Sequence, residues 1–331
     1  MLRSMLRYIR VIPLAAESLG VRSMCTYAET PSVKLLLDAG VSLCPNRFGL
    51  PPHPREFRAI DECRRKIATA AEDADVITLS HYHFDHHTPS YEDWLTQWTE
   101  ETETARHIYE GKTVLMKNPR EAVNYSQRQR GWMFQKTGGS YAKKLEIADG
   151  KCFNFGKTRI KFSEPVFHGP ENSFLGWVLM TTVEYQGEVF MFAPDVQGPI
   201  SSRTLQLIIN EKPQLIILGG PPSYLIGFKT DEKQVQTAMG NLQQIVEHVP
   251  TTILEHHFLR DENWKERSAD VFYQAYKSDH TVLTAAEFSG LQNNFLEASR
   301  KRLFSEKPPS KEFERWMKTS IEAKKHLKPP I

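Results

Sequence analysis

The stretch Val76-Ile77-Thr78-Leu79-Ser80-His81-Tyr82-His83-Phe84-Asp85-His86-His87 reads as a buried strand running straight into a polar turn. Val76 to Leu79 is a short apolar run, the pattern of a strand covered on both faces. Four histidines and one aspartate then fall within the seven residues from His81 to His87. Such a cluster costs too much to serve as core filling, because every ring and carboxylate would need a buried partner. Imidazole nitrogens and carboxylate oxygens are the ligand set that suits zinc, manganese or iron. Alternation along the chain lets His81 and His83 converge on one ion, while Asp85 and His86 can point at a second.

Upstream, Val11-Ile12-Pro13-Leu14 and Val33-Lys34-Leu35-Leu36-Leu37 read as strands on either side of a turn at Gly20, the second running into Asp38. Pro51, Pro52 and Pro54 break the chain, after which Phe57, Ile60, Arg64, Ile67 and Ala71 recur at helical spacing. Downstream, Lys112 to Met116 reads as a strand and Pro119 as the opening of a short helix. From Lys151 to Asp195 the pattern is strand-rich, with Cys152 to Phe155, Arg159 to Phe162, Trp177 to Val183, Val189 to Phe192 and a hairpin turn at Gln186-Gly187. The last third alternates. Leu205 to Ile209, Val235 to Val249 and Trp264 to Tyr276 read as helices between strands at Leu215 to Leu218, Thr252 to Leu254 and Thr281 to Thr284. The pattern predicts an α/β (α+β) fold, sheets with helices packed outside them. The expected organisation is an extension over 1–10, one domain over 11–304 with a small lid at 91–141, and a basic tail over 305–331.

Composition limits the classes. With 40% apolar, 11% aromatic and 25% charged residues in 331, the chain is neither fibrous nor disordered and can bury a sizeable core. A formal charge of +2 demands neither nucleic acid nor an anionic membrane as partner. No apolar run approaches the roughly 18 residues a membrane span needs. Cys25, Cys44, Cys63 and Cys152 form no Cys-x-x-Cys pair, so a zinc knuckle and a disulfide framework are not expected, and a reducing cytoplasm is the expected location. Arg3, Arg7 and Arg10, with no acid before Glu17, give the start some transit-peptide character but no secretory pattern.

The histidine string does not stand alone. Asp38 after an early strand, His81-x-His83-x-Asp85-His86, His168 in Phe167-His168-Gly169, Asp195 in Phe192-Ala193-Pro194-Asp195, and His256 or His257 after a late strand follow one another over about 220 residues. In this the chain resembles the metallo-β-lactamase superfamily of metal-dependent hydrolases. More narrowly, Glu17-Ser18-Leu19-Gly20-Val21-Arg22-Ser23, Gly49-Leu50-Pro51-Pro52-His53-Pro54, Asp195-Val196-Gln197-Gly198-Pro199-Ile200, Gly219-Gly220-Pro221-Pro222 and His256-His257-Phe258-Leu259-Arg260-Asp261 resemble a mainly archaeal, functionally uncharacterised branch of it. The resemblance implies an αββα sandwich of two mixed sheets flanked by helices and two divalent ions, zinc first, with manganese or iron as alternatives. It implies that His81, His83 and His168 hold one ion, that Asp85, His86 and the late histidine hold the other, and that Asp195 bridges them. Asp85 would also handle a proton during catalysis, and Asp38 would orient a ligand histidine. On strand geometry, only one of His256 and His257 can face the ions, and His256 is the preferred one by analogy.

Substrate selection is less marked. From Gly111 to Lys161 there are twelve Lys/Arg against three acids, and Arg128, Arg130 and Trp132 could hold a phosphate or carboxylate by guanidinium fork and aromatic platform. Gly219 and Gly220, at a strand end, could let backbone amides approach an anion. The leading expectation is a hydrolase using a metal-bound hydroxide on an ester, phosphodiester, lactone or amide in a small or phosphorylated molecule. A mononuclear iron oxidoreductase and a non-catalytic metal-binding or nucleic-acid-binding protein are the alternatives. No membrane partner is expected, and self-association is left open.

Overall fold

The computed structural model describes residues 6–90, 92–93, 99–100 and 102–331. Its core is two sheets laid face to face. In the first, strands lie side by side in the order Arg10–Pro13, Thr26–Thr30, Val33–Leu37, Val76–Leu79, Thr113–Met116 and Lys144–Ile147. In the second the order is Thr281–Leu283, Thr251–Glu255, Leu215–Gly219, Glu188–Ala193, Thr181–Tyr185, Thr158–Phe162 and Cys152–Phe155. Each sheet mixes parallel and antiparallel pairs.

The two-residue period of a strand explains the layering. Leu35 and Leu37 point into the space between the sheets with Phe190, Phe192 and Ile217, whereas Leu36 points the other way. That outer face of the first sheet is covered by the helix Pro54–Asp73, which presents Phe57, Ile60, Cys63 and Ile67. On the second sheet Met191, Ile216 and Leu218 point outward against Leu205 and Ile208 of the helix Ser202–Glu211 and Leu242 and Ile245 of Glu232–His248. This is the αββα sandwich of the metallo-β-lactamase fold. The four-residue apolar run at Val76 is buried throughout because it has a layer on each side.

Several local expectations change. The strand Thr26–Thr30, which pairs with Val33–Leu37, has no counterpart in the sequence reading. No helix opens at Pro119; the helix begins at Tyr125, where Asn124 and Gln127 form a capping box. The long helix expected from Trp264 divides at Ser268. Of the span 91–141, residues 91, 94–98 and 101 lie outside the described residues, and Thr113–Met116 is an inner strand of the first sheet; the helix Tyr125–Lys136 borders a cavity of about 830 Å³ through Arg130. Residues 1–5 are also outside the described residues. The basic stretch after Lys307 forms two short helices, Lys311–Met317 and Ile321–His326, whose residues are mostly exposed, but Phe313 and Trp316 are buried edge-on against Phe57. Burying Phe313 contributes about 1.5–3 kcal/mol, enough to hold a segment that its charge would leave in water. Just before it, the buried Arg300 guanidinium reaches Glu56 at 2.6 and 2.8 Å and the Cys44 carbonyl at 2.9 Å, tying this end to the first helix. Among the described residues no helix is long and apolar enough to cross a membrane.

Candidate metal centre

Parallel strands bring their carboxyl ends to the same edge of the sandwich, the usual place for a site in an open α/β sheet. Asp38 follows Val33–Leu37, Ser80 and His81 follow Val76–Leu79, Asp195 follows Glu188–Ala193 and His256 follows Thr251–Glu255. Asp38, Asp195 and His256 all have positive φ, at 50, 48 and 66°. Non-glycine residues pay for that backbone region, and it turns these side chains out of the strand direction and towards one point.

The point is the carboxylate of Asp195, fully buried. Its Oδ2 lies 3.0 Å from His168 Nε2, 3.1 Å from His81 Nε2, 3.2 Å from His86 Nε2 and 3.9 Å from His83 Nδ1. Its Oδ1 lies 3.1 Å from His256 Nε2 and 3.2 Å from His257 Nε2, yet makes no hydrogen bond. Asp85 Oδ2 is 3.5 Å from His256 Nε2. Residues from His81 to His257 thus meet within a few ångströms, and all seven residues expected as ligands are among them. His81, His83, His168 and Asp195 form one group with ligand atoms within 4.8 Å of one another, and Asp85, His86 and His256 form a second.

The hydrogen bonds behind the rings fix their orientation. Asp38 accepts from the Ser80 amide at 2.8 Å, from Ser80 Oγ, and from His86 Nδ1 at 2.8 Å. With its own proton given to Asp38, Ser80 Oγ accepts from His81 Nδ1 at 2.9 Å. One carboxylate therefore sets two rings so that each turns its Nε2 inward. Across the site Glu17 Oε1 lies 3.3 Å from His256 Nδ1 and Arg260 Nε donates to the same oxygen at 2.6 Å. His86 Nε2 faces His256 Nε2 at 3.4 Å, and His81 Nε2 faces His83 Nδ1 at 3.0 Å. Facing lone pairs beside an unpartnered buried carboxylate oxygen are unfavourable unless a cation lies among them, so the donor set fits a divalent metal.

Electrostatics follow the same lines. Burial alone would raise the Asp195 carboxyl, but His256, His168, His86 and His257 hold it well below the usual carboxylate range. Burial, then His86 and His83, push His81 well down, whereas Asp195 and Asp38 outweigh burial at His86 and raise it. His257 is pushed well down by burial and the neighbouring Arg260. Burial drives the Glu255 carboxyl up to about 7; it anchors the Glu17 loop by accepting from Ser18 Oγ. His87 stays out of the cluster, its Nδ1 donating to the His83 carbonyl at 2.9 Å.

The cluster floors a cavity of about 830 Å³. Leu43, Phe84, Pro170, Leu175 and Leu225 give it apolar walls, and Arg130 and Lys229 bring cationic heads to it. Of the residues expected to select substrate, Arg130 alone lines it. Arg128 and Trp132 face away, into a separate depression with Tyr125, because positions 128 and 132 share one flank of the helix while 130 lies on another. Gly219 and Gly220 do not line it either. A Cβ on Gly219 would come within 2.7 Å of the Asp195 amide, and one on Gly220 within 2.6 Å of Phe258 Cβ, so these glycines serve close backbone approach. The Gly220 amide is spent on the Glu255 carbonyl at 3.0 Å. The expectation that only one late histidine faces the cluster also fails. The strand ends at Glu255 and His256 enters a short helical turn, so strand alternation does not apply to the pair. Ser80, Glu17 and Arg260 were not read as site residues; Glu17 and Arg260 stand in strings that marked the family likeness, but their pairing spans 243 positions.

No protein-family model matches the chain. A UPF0282 protein of Methanopyrus kandleri is 42% identical over 298 residues, covering 90% of this chain and all of that one. A UPF0282 protein of Methanocaldococcus jannaschii is 43% identical over 296 residues, covering 89% of this chain and 96% of its own. Among solved structures, unliganded yeast PDE1 superposes with a TM-score of 0.52 at 10% identity, over 84% of this chain and 98% of that one, a likeness of fold. A metal-dependent hydrolase of the β-lactamase superfamily aligns with a TM-score of 0.47 at 12% identity, over 84% and 97%.

Proposed function

The chain belongs to the UPF0282 family, and from that premise we propose that it is a metal-dependent hydrolase acting on an ester-type bond, a phosphodiester first, in a substrate that carries an anionic group. The observation that carries the reading is the convergence of His81, His83, His168, His86, His256 and Asp85 on the single carboxylate of Asp195. In this reading His81, His83 and His168 would hold one ion and Asp85, His86 and His256 the other, with Asp195 available to both. Two divalent ions held there would make a water acidic enough to be hydroxide near neutral pH and would stabilise charge on the attacked group. Asp38 fixes the donor faces of His81 and His86, and Asp85, lining the cavity, is placed to take up or return a proton. The apolar walls exclude water, and Arg130, stacked 4.5 Å over the Phe84 ring, and Lys229 attract the anionic part of the substrate.

Zinc titration into metal-free protein, followed by assays on generic phosphodiester and lactone substrates, tests this. Two equivalents of zinc and phosphodiester turnover are expected; failure to bind zinc at stoichiometric amounts would end the proposal. One iron per chain after native purification would favour the oxidoreductase alternative instead.

A further inference from the structure

One wall of the cavity is made by Arg22, Ser42 and Leu43. The Arg22 amide donates to the Ser42 carbonyl at 3.0 Å and the Ser42 amide returns the bond at 2.9 Å, while Ser23 Oγ donates to the Gly40 carbonyl at 2.6 Å. Gly40 in turn lies so close to the histidine turn that a Cβ there would come within 2.2 Å of the His87 amide nitrogen. Backbone contacts therefore seat Arg22 beside the cluster. Its guanidinium is braced from one side. Nε and Nη2 each donate to Glu297 at 2.6 Å, a bidentate pair. A guanidinium carries five N–H groups and so has two such edges, one across Nε and Nη2 and the other across Nη2 and Nη1. The second edge is unused: among the described residues Nη1 has no hydrogen-bond partner, it is not one of the sealed-off polar atoms, and the side chain is 22% exposed. Ser42 Oγ, on the same wall, is in the same position. Arg260, the other buried arginine of the cavity, has no edge to offer, since Nε donates to Glu17 at 2.6 Å, Nη2 also lies on Glu17, and Nη1 is 3.0 Å from His257 Nδ1.

Because Glu297 already fixes the guanidinium plane, a ligand at the second edge costs little side-chain entropy. Two N–H groups side by side match the two oxygens of a carboxylate, whereas a phosphate would bring a further oxygen against Leu43 and Pro45. Resting on the proposed metal centre, we infer that Arg22, with Ser42 beside it, is a carboxylate subsite: the substrate carries a carboxylate besides the group attacked at the metals, and the unused guanidinium edge holds it. Glu297 acts through Arg22 and is a positioning residue.

The test measures ligand binding to the zinc-loaded protein by calorimetry. Phosphonoacetate, 3-phosphonopropanoate and 4-phosphonobutanoate present a carboxylate at three reaches; propylphosphonate presents none. At least one of the three is expected to bind about tenfold more tightly than propylphosphonate, the gain from hydrogen bonding to a charged group. Arg22→Gln removes the charge and the edge, and Arg22→Lys keeps a charge beside Glu297 without the two-donor edge. Both are expected to bring the ratio to within about threefold, with zinc content and propylphosphonate affinity at the wild-type level. Where Arg22→Gln does not fold, Arg22→Lys decides. Arg130→Ala is expected to leave the ratio in place. No gain for any of the three carboxylates would overturn the inference, as would a ratio that survives in Arg22→Lys or that Arg130→Ala removes instead. A chain that takes up no zinc overturns the metal reading beneath it. Succinate binding to that protein then judges the subsite alone: loss in Arg22→Lys supports it, and equal affinity or no binding to the wild type overturns it.

Discussion

His86 and His256 face each other across 3.4 Å, but the two sides of the site are supported in different ways. On the first sheet, the ligand rings and Ser80 come from one run of consecutive residues, and a single carboxylate, Asp38, orders His81 and His86 through short bonds. On the second sheet, His256 is steadied by Glu17, a residue from the far end of the chain, with Arg260 bound between them. The first side is a local structure that the strand end almost dictates; the second exists only once the two sheets have closed. A local arrangement tolerates the loss of one contact poorly, because that contact serves two rings. A long-range one divides the work among more partners.

The largest effect is expected where the two sides share a residue. Asp195→Ala should abolish stoichiometric zinc uptake on both sides, with affinity down by more than about 100-fold, beyond what a supporting residue costs; retention of one tight ion would mean that one side is self-sufficient. Asp38→Asn comes next. It leaves the shape but weakens two rings at once, and zinc affinity should fall towards the upper end of about 10–100-fold. Glu17→Gln should cost nearer tenfold and affect one ion only, which competition with a chelator resolves into two phases. Equal losses for Asp38→Asn and Glu17→Gln would erase the contrast between local and long-range support. Arg130→Ala should leave zinc content untouched and raise KM for an anionic substrate about tenfold with little change in kcat, as expected for uniform binding. Trp132→Ala, on the other flank of the same helix, should change neither by a measurable amount.

The unequal support also explains what could be read in advance. The strand at Val76, its histidine turn and the sheet-and-helix layering are written in short-range patterns of burial and alternation, and so are visible without coordinates. Asp38, His168 and Asp195 needed a family likeness, because nothing local marks an isolated aspartate after a strand. Glu17 and Arg260 were beyond reach for a different reason: a buried ion pair spanning 243 positions leaves no periodicity behind. The substrate residues misled because a basic, aromatic helix looks alike on all sides until its neighbours are known, so that Arg128 and Trp132 were grouped with Arg130. Gly219 and Gly220 misled in the opposite sense, since close packing and anion binding ask for the same residue. The pair at 256–257 failed through one torsion: with φ at 66°, His256 leaves the strand, and alternation no longer governs where His257 points.

Positive φ at Asp38, Asp195 and His256 sets the convergence of the cluster against the ease of its backbone. Glycine would ease the backbone at all three positions, but at Asp38 it would also strip the buried partner from the Ser80 amide and from His86, so backbone ease and an ordered cluster cannot be had together there.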